Sequence, residues 1–225
     1  KLKNIELAKL QLHDNDWFVR HARRVLHERL DYSRKIWSPF SPDLEKNHAA
    51  WRGHRANWFH EADAALKIQL SGHESVPKRL RALWALYVSE GIEAADLIDL
   101  LRDSDEYVRS WAVQLLMNDI RLTEAGVAML TEMARDEESP LVRLYLASAA
   151  QRVPVTMRAP LLKVLLARVE DANDPNLPLM YWYAAEPVVA ADSKQAVQLL
   201  VACKIPKLRQ FITRRMAVKQ LSSGE

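Results

Sequence analysis

A short pattern, Asp-x-x-Val-Arg, recurs along this sequence and constrains the fold more than any other feature. Its clearest copy begins at Asp105, a second begins at Asp16, and a third has Ser139 in place of the aspartate. In each copy the first residue can cap a helix by accepting backbone N–H bonds. Apolar residues then follow Asp105 at the spacing of one buried helical stripe: Val108, Ala112, Leu115 and Leu116. The pattern therefore predicts that each copy begins a helix.

The arginine of the pattern shows the length of the repeat. Looser copies contain Arg81 and Arg209, and the intervals are 28 residues from Arg81 to Arg109, 34 from Arg109 to Arg143 and 66 from Arg143 to Arg209. The last interval leaves room for one further unit. Spacings of about 30 to 45 residues are typical of stacked helical pairs. The sequence therefore predicts a repeat of helical hairpins.

The glycine content favours an all-α fold. Only five glycines occur in 225 residues, 49% of which are hydrophobic, so few tight turns are available to join short strands. One helical hairpin cannot bury its apolar side alone, so neighbouring hairpins must stack. We predict a right-handed α-solenoid of about five to six helical pairs.

We predict one solenoid domain over residues 1–225, with an irregular connection at about 31–47. This connection contains Pro39 and Pro42 and shows no helical period. The chain starts at Lys1 rather than at Met, and no stretch of it resembles a signal peptide or a membrane span. We expect the chain to be a segment of a longer multidomain protein.

The recurring arginines and turn aspartates are predicted to be structural. An arginine on each second helix can bond the turn carboxylate or carbonyls of a neighbouring repeat and so set the stacking register. The alternative is that these arginines bind an anionic ligand, but their spacing follows the repeat. The predicted set is Asp16, Arg20, Arg81, Asp105, Arg109, Arg143 and Arg209.

Charge is unevenly distributed along the chain. Residues 1–81 carry 16 basic and 10 acidic side chains, residues 82–140 carry 4 and 13, and residues 141–225 carry 12 and 6. An acidic middle thus separates two basic ends. This distribution argues against a continuous phosphate-binding stripe and favours partner surfaces of opposite sign.

Metal, cofactor and catalytic sites are not indicated. All seven histidines precede residue 74, yet no two are three or four residues apart, so no helix presents two imidazoles side by side. The one cysteine, Cys203, cannot form an internal disulfide or a CxxCH haem-attachment motif. We identify no nucleophile paired with a base. The sequence therefore predicts a noncatalytic segment without cofactor or metal ligands.

Two stretches are candidates for contact with a partner. Leu177 to Pro187 contains three consecutive aromatic residues, Tyr181, Trp182 and Tyr183. Three consecutive helical residues cannot all point inward, so this stretch predicts either an interaction patch or a tightly packed short helix. The last helical pair is basic, which fits a solvated face or a phosphate-binding surface: Lys204, Lys207, Arg209, Arg214, Arg215 and Lys219.

Taken together, the copies of the pattern resemble HEAT repeats. A more specific resemblance, over most of the chain from 15 to 215, is to the HEAT segment of large membrane-bound dehydrogenases of planctomycetes and related bacteria. One of its most specific stretches is Asp174-Pro175-Asn176-Leu177-Pro178-Leu179-Met180-Tyr181-Trp182-Tyr183. The stretches 15–29 and 80–86 match as well, in the order of that family, and 143–149 and 204–212 extend the match.

This resemblance implies a function for the whole protein. In that family the HEAT segment lies between a β-propeller that resembles sugar dehydrogenases and a c-type cytochrome domain. The resemblance therefore implies a noncatalytic scaffold that spaces these two domains, which would be its partners, in an exported protein of the periplasm or membrane surface. It transfers no catalytic residue onto this chain.

A nucleic-acid-binding protein is the alternative class. Such a chain would be similar to the HEAT-like alkylpurine DNA glycosylases and would use a basic face with aromatic side chains. The acidic segment 82–140 argues against this alternative.

Overall fold

The computed structural model describes residues 2–37, 44–119 and 123–222. Within these ranges the chain forms α-helices and short 3-10 turns and no strand, which confirms the all-α prediction. The helices are α1 Asn4–Lys9, α2 Asp16–Trp37, α3 Leu44–Gly72, α4 Val76–Val88, α5 Ala94–Leu100, α6 Glu106–Asp119, α7 Glu124–Asp136, α8 Pro140–Arg152, α9 Ala159–Leu166, α10 Leu177–Ala191, α11 Ser193–Ala202 and α12 Pro206–Ser222. The 3-10 turns are Leu10–Leu12, Val155–Met157 and Val169–Asn173.

The chain divides into two compact units. Unit 1 is Lys1–Leu97 and unit 2 is Ile98–Glu225. The sequence predicts one domain over the whole chain, and that statement stays a prediction.

Unit 2 consists of helical hairpins that stack on one another. The second helices of the hairpins form one row, in which α6 packs on α8, α8 on α10 and α10 on α12. The first helices form another row, in which α7 packs on α9 and α9 on α11. This is the arrangement of a solenoid-like helical repeat, as the sequence predicts.

Local sequence explains where the helices of unit 2 begin. Ser139 caps α8 by accepting the N–H of Val142 at 3.3 Å, and Pro140 occupies the first turn, where no N–H is needed. Asp192 caps α11 by accepting the N–H groups of Gln195 and Lys194. These hydrogen bonds lower the pKa of Asp192. Each helix then buries an apolar stripe, which in α8 is Val142, Leu146, Ala147, Ala149 and Ala150.

Unit 1 packs α3 against α1 and α4, and α2 against α4. Its core includes large apolar side chains that are fully buried: Leu26, Leu30, Phe59, Leu66, Leu83 and Leu86. A buried polar cluster borders this core. Arg55 donates to both carboxylate oxygens of Asp63 and, through Nε and Nη2 at 2.9 and 2.7 Å, to the carbonyl of Ser89.

The irregular connection predicted at 31–47 is wrong over most of its length. Helix α2 continues to Trp37 and α3 begins at Leu44, and only 38–43 lies outside the described residues. The two prolines on which the prediction depends lie within 38–43. A proline disfavours helix for itself and the residue before it, and this effect does not extend back to residue 31.

Pro187 does not end its helix, contrary to the short helix that we considered between Pro178 and Pro187. Helix α10 passes through Pro187 and ends at Ala191. A proline inside a helix costs about 3 kcal/mol. The buried side chains of Val188 and Val189 follow it directly, and their packing offsets this cost.

Candidate interaction face

Arg109 links two successive turns of unit 2. Its Nε and Nη2 donate to the two carboxylate oxygens of Glu137 at 2.9 and 2.7 Å. Its Nη1 donates to the carbonyls of Asp103 and Ser104 at 2.9 and 3.0 Å. One guanidinium thus joins the turn before α6, its own helix, to the turn before α8.

Arg143 repeats this arrangement in the following hairpin. Its Nε and Nη2 donate to the carboxylate of Asp171, and its Nη1 donates to the carbonyls of Glu137 and Glu138. In both cases the carboxylate lies 28 residues after the arginine. The side chains of Arg143 and Asp171 are only 4% and 3% exposed. These two arginines therefore hold the hairpins in register and are not free to bind a ligand.

Tyr181 belongs to this internal network. Its hydroxyl donates to Oδ2 of Asp171 at 2.7 Å, and its side chain is fully buried. Burial, together with the hydrogen bond to Asp171 and the charge of Asp171, raises the pKa of Tyr181. The predicted interaction patch at Tyr181, Trp182 and Tyr183 is therefore wrong for Tyr181. Trp182 packs on Phe211 with ring centroids 5.4 Å apart, and only Tyr183 is exposed.

The other predicted residues of unit 2 act at helix ends. Asp105 caps α6 by accepting the N–H groups of Tyr107 and Val108 at 2.9 and 3.1 Å. Arg209 donates through Nη1 to the carbonyls of Leu200 and Cys203 at 2.7 and 3.0 Å. Arg209 therefore closes the end of α11.

In unit 1, Asp16 accepts hydrogen bonds from two arginines that have different roles. Arg81 reaches it from α4 at 3.1 Å and also donates to the carbonyl of His13. Arg20 pairs with Asp16 at 2.6 Å within α2, and its side chain is 74% exposed. The expectation that Arg20 bonds a neighbouring repeat is therefore wrong, because its register on α2 places it on the solvent side.

The structure also shows a repeat arginine that the sequence pattern missed, Arg79. Arg79 is the fourth residue of α4, as Arg109, Arg143 and Arg209 are of their helices. Its Nε donates to the carbonyl of Leu70, nine residues earlier, as Arg209 does to Leu200. Counting from the helix start, rather than from the Leu-Arg pair at 80–81, would have found it.

Arg158 is a further buried arginine that the sequence pattern missed. It donates to the carbonyls of Val153, Ala184 and Gln151 and so connects the end of α8 to α10. Burial lowers the pKa of Arg158. No repeat motif contains this residue, so no signal in the sequence marks it.

The folded environment of Glu137 lowers the pKa of its carboxyl group. Burial alone would raise the pKa of Glu137, but the hydrogen bond from Arg109, the N–H of Ser139 and the charges of Arg109 and Arg143 outweigh burial and lower it. A carboxyl with a lowered pKa stabilises the fold above its unfolded pKa, and this contribution is lost as pH falls towards the folded value.

We therefore expect the free energy of unfolding to decrease as pH falls below about 4.3, the usual pKa of glutamate. Glu137→Gln is expected to lose about 1.5–3 kcal/mol near neutral pH and to show a weaker acid dependence. Urea unfolding over this pH range measures both effects. Glu138→Gln, at the exposed neighbouring position, is the control and should follow the native curve. Parallel curves for Glu137→Gln and the native chain would contradict this assignment.

The second-helix row carries a groove of about 500 Å³. It crosses α6, α8 and α10 and is lined by Gln114, Leu144, Tyr145, Ser148, Asn176, Leu179, Met180 and Tyr183. None of these lining residues is charged. We call this feature the second-helix groove. The ring of Tyr183, 56% exposed, stands at its edge.

A smaller hollow of about 280 Å³ lies between α10 and α12. Its apolar part consists of Trp182, Phe211 and Val218, and its polar part consists of Arg214 and Arg215. We call it the α10/α12 hollow. The Nζ of Lys207 lies 5.9 Å from the centre of the Phe211 ring. The groove and the hollow together form what we call the second-helix face.

A third cavity of unit 2 is acidic and has a volume of about 710 Å³. It lies between residues 98–103 and α7, and its carboxylates include Asp103, Glu132, Asp136 and Glu138. Part of its wall is the Arg109–Glu137 pair, so this cavity borders the structural network. The side of unit 2 that carries this cavity therefore differs in charge from the second-helix face.

The histidines that the structure describes do not assemble into a metal site. Among the residues that the structure describes, no group of three or more His, Cys, Asp or Glu could hold a metal ion. His21 stacks on Trp17 with ring centroids 4.1 Å apart, and His27 bonds the carbonyl of Val88. No described helix is both long and apolar enough to cross a membrane.

The fold and this face define an all-α helical-repeat protein with an apolar groove on its second-helix row. Comparison with protein-family models, curated proteins and solved structures finds no match for this chain.

Proposed function

We propose that this chain is a noncatalytic scaffold that docks a partner protein on the second-helix face of unit 2. The observation that supports this most directly is the uncharged second-helix groove, about 500 Å³ in volume, with the exposed ring of Tyr183 at its edge. Concave apolar surface with a few polar groups is typical of a binding site.

The rest of the repeat supports a rigid scaffold. Arg109 and Arg143 each make two bonds to a carboxylate and two to backbone carbonyls, and each joins successive turns. Such bonds restrict the sliding of one hairpin past another. A face held in this way loses little conformational freedom when a partner binds.

The resemblance to membrane-bound dehydrogenases suggests which partners to test. On this proposal the scaffold spaces a propeller domain and a cytochrome c domain of the same protein. The full-length native gene product should then show a haem absorption band and a covalent mass increment. A haem-free product would contradict the dehydrogenase part of the proposal and leave the docking part standing.

Docking itself is tested by placing the photo-crosslinker p-benzoylphenylalanine at position 183 of the purified full-length product. We expect crosslinks to one defined segment of a neighbouring domain, because Tyr183 borders the groove. The same probe in place of Val197, which is exposed on α11 of the first-helix row, is the control and should not crosslink to that segment. Equal or absent crosslinking at both positions would contradict docking on this face.

A further inference from the structure

We infer that the second-helix face recognises a protein segment that combines apolar anchor residues with carboxylates. This inference rests on the proposed docking function and adds the chemistry of the partner. It is carried by the difference in charge between the second-helix groove and the α10/α12 hollow.

The groove requires uncharged anchors. Its apolar wall is formed by Leu144, Leu179, Met180 and the rings of Tyr145 and Tyr183, and its polar groups are two amides and three hydroxyls. A charged side chain buried there would lose its hydration without gaining an opposite charge. Apolar side chains of a partner that are buried in the groove stabilise the complex in proportion to the area that they bury.

The hollow favours carboxylates. The described side chains of α12 include four cations and no acid: Lys207, Arg209, Arg214 and Arg215. Arg209 donates to backbone carbonyls, and Arg215 pairs with Glu186 at 2.6 Å. Lys207 and Arg214 are exposed and form no ion pair with any described residue. Their positive charge beside the apolar floor of Trp182 and Phe211 complements an anion.

A peptide fits this pattern better than a nucleic acid does. A nucleic acid carries a phosphate at every nucleotide and needs cations along its whole path. The described lining of the groove contains no cation, and the exposed Lys207 and Arg214 lie on the α12 side of α10. A peptide can instead present apolar residues on one side of α10 and carboxylates on the other.

The helix geometry predicts how these residues are spaced in the partner. Tyr183 borders the groove and Trp182 borders the hollow, and they are consecutive on α10. Neighbouring helices lie about 8–10 Å apart, and an extended peptide spans about 3.3 Å per residue. The carboxylates should therefore be about three residues from the nearest apolar anchor.

The test is selection from a displayed library of random dodecapeptides against the full 225-residue chain. We expect enriched peptides to contain Leu, Ile, Phe or Met next to Asp or Glu at this spacing. The double variant Lys207→Glu/Arg214→Glu should bind them about tenfold more weakly, and native affinity should fall with ionic strength. The matched control Lys163→Glu/Lys194→Glu makes the same charge change on α9 and α11 and should keep native affinity.

Several results would overturn the inference. They are enrichment of basic or neutral peptides, no enrichment, equal binding by the two double variants, or tighter binding of a thymidine dodecanucleotide than of the enriched peptides. None of these would by itself contradict the crosslinking result at position 183. The partner chemistry and the docking function can thus fail separately.

Discussion

Asp171→Ala is expected to lower the free energy of unfolding by about 3–5 kcal/mol. The substitution leaves the guanidinium of Arg143 buried without its carboxylate and removes the acceptor of the Tyr181 hydroxyl. An uncompensated buried charge is costly because the interior does not replace its lost hydration. Urea unfolding followed by circular dichroism measures the loss, and hydrogen exchange should be faster mainly in α8 and α10.

Two variants separate the buried pair from a general effect of losing a carboxylate. Glu170→Ala removes an exposed neighbouring carboxylate that pairs with Arg168 at 3.3 Å, and it should cost at most about 1 kcal/mol. Arg143→Leu combined with Asp171→Leu removes both charges and should cost less than Asp171→Ala alone. If the double variant is as unstable as Asp171→Ala, the unpaired charge is not the cause.

Gly91→Ala is expected to destabilise unit 1 by about 1–3 kcal/mol. A Cβ at this position would lie 2.5 Å from Oδ1 of Asp63 and 2.9 Å from Nη2 of Arg55. The carboxylate cannot move away without weakening its bonds to the buried guanidinium of Arg55. Glycine is therefore required at position 91, because the side chains of Asp63 and Arg55 leave no room for a Cβ.

Gly53→Ala is the matched control and should have the opposite sign. Gly53 lies inside α3, and apart from its chain neighbours and the backbone of its own helix no heavy atom lies within 4 Å of the place that an alanine Cβ would occupy there. Alanine should therefore stabilise the helix by about 0.5–1 kcal/mol. Thermal unfolding of both variants measures the difference. In an Asp63→Ala background the cost of Gly91→Ala should shrink, and an unchanged cost would show that the clash is elsewhere.

The helices and their caps could be read from the sequence to a large extent. Asp105 and Ser139 cap the helices that the pattern predicts, and the apolar stripes after them are buried. These features depend on residues a few positions apart, so the local sequence contains the information. Prediction from local sequence fails at Pro187, where tertiary packing outweighs the tendency of proline to end a helix.

The candidate face was predicted only in part. The aromatic stretch at 181–183 was recognised, but its three residues separate into a buried hydroxyl donor, a half-buried ring and an exposed ring. Helical residues differ in direction by about 100° per position, and the direction of each depends on how the helix is rotated against its neighbours. The groove across α6, α8 and α10 has no sequence signature, since its walls come from three separate helices.

The sequence by itself determined the all-α class, the hairpin repeat and the placing of Arg109 and Arg143 near the starts of their helices. Tertiary structure decided which carboxylates meet those arginines, because Glu137 and Asp171 reach them only after 28 residues of chain have folded back. It likewise decided that Tyr181 points inward while Tyr183 remains exposed. Caps and stripes are local and can be read along the chain, whereas ion pairs and surfaces arise from the rotation and stacking of whole helices.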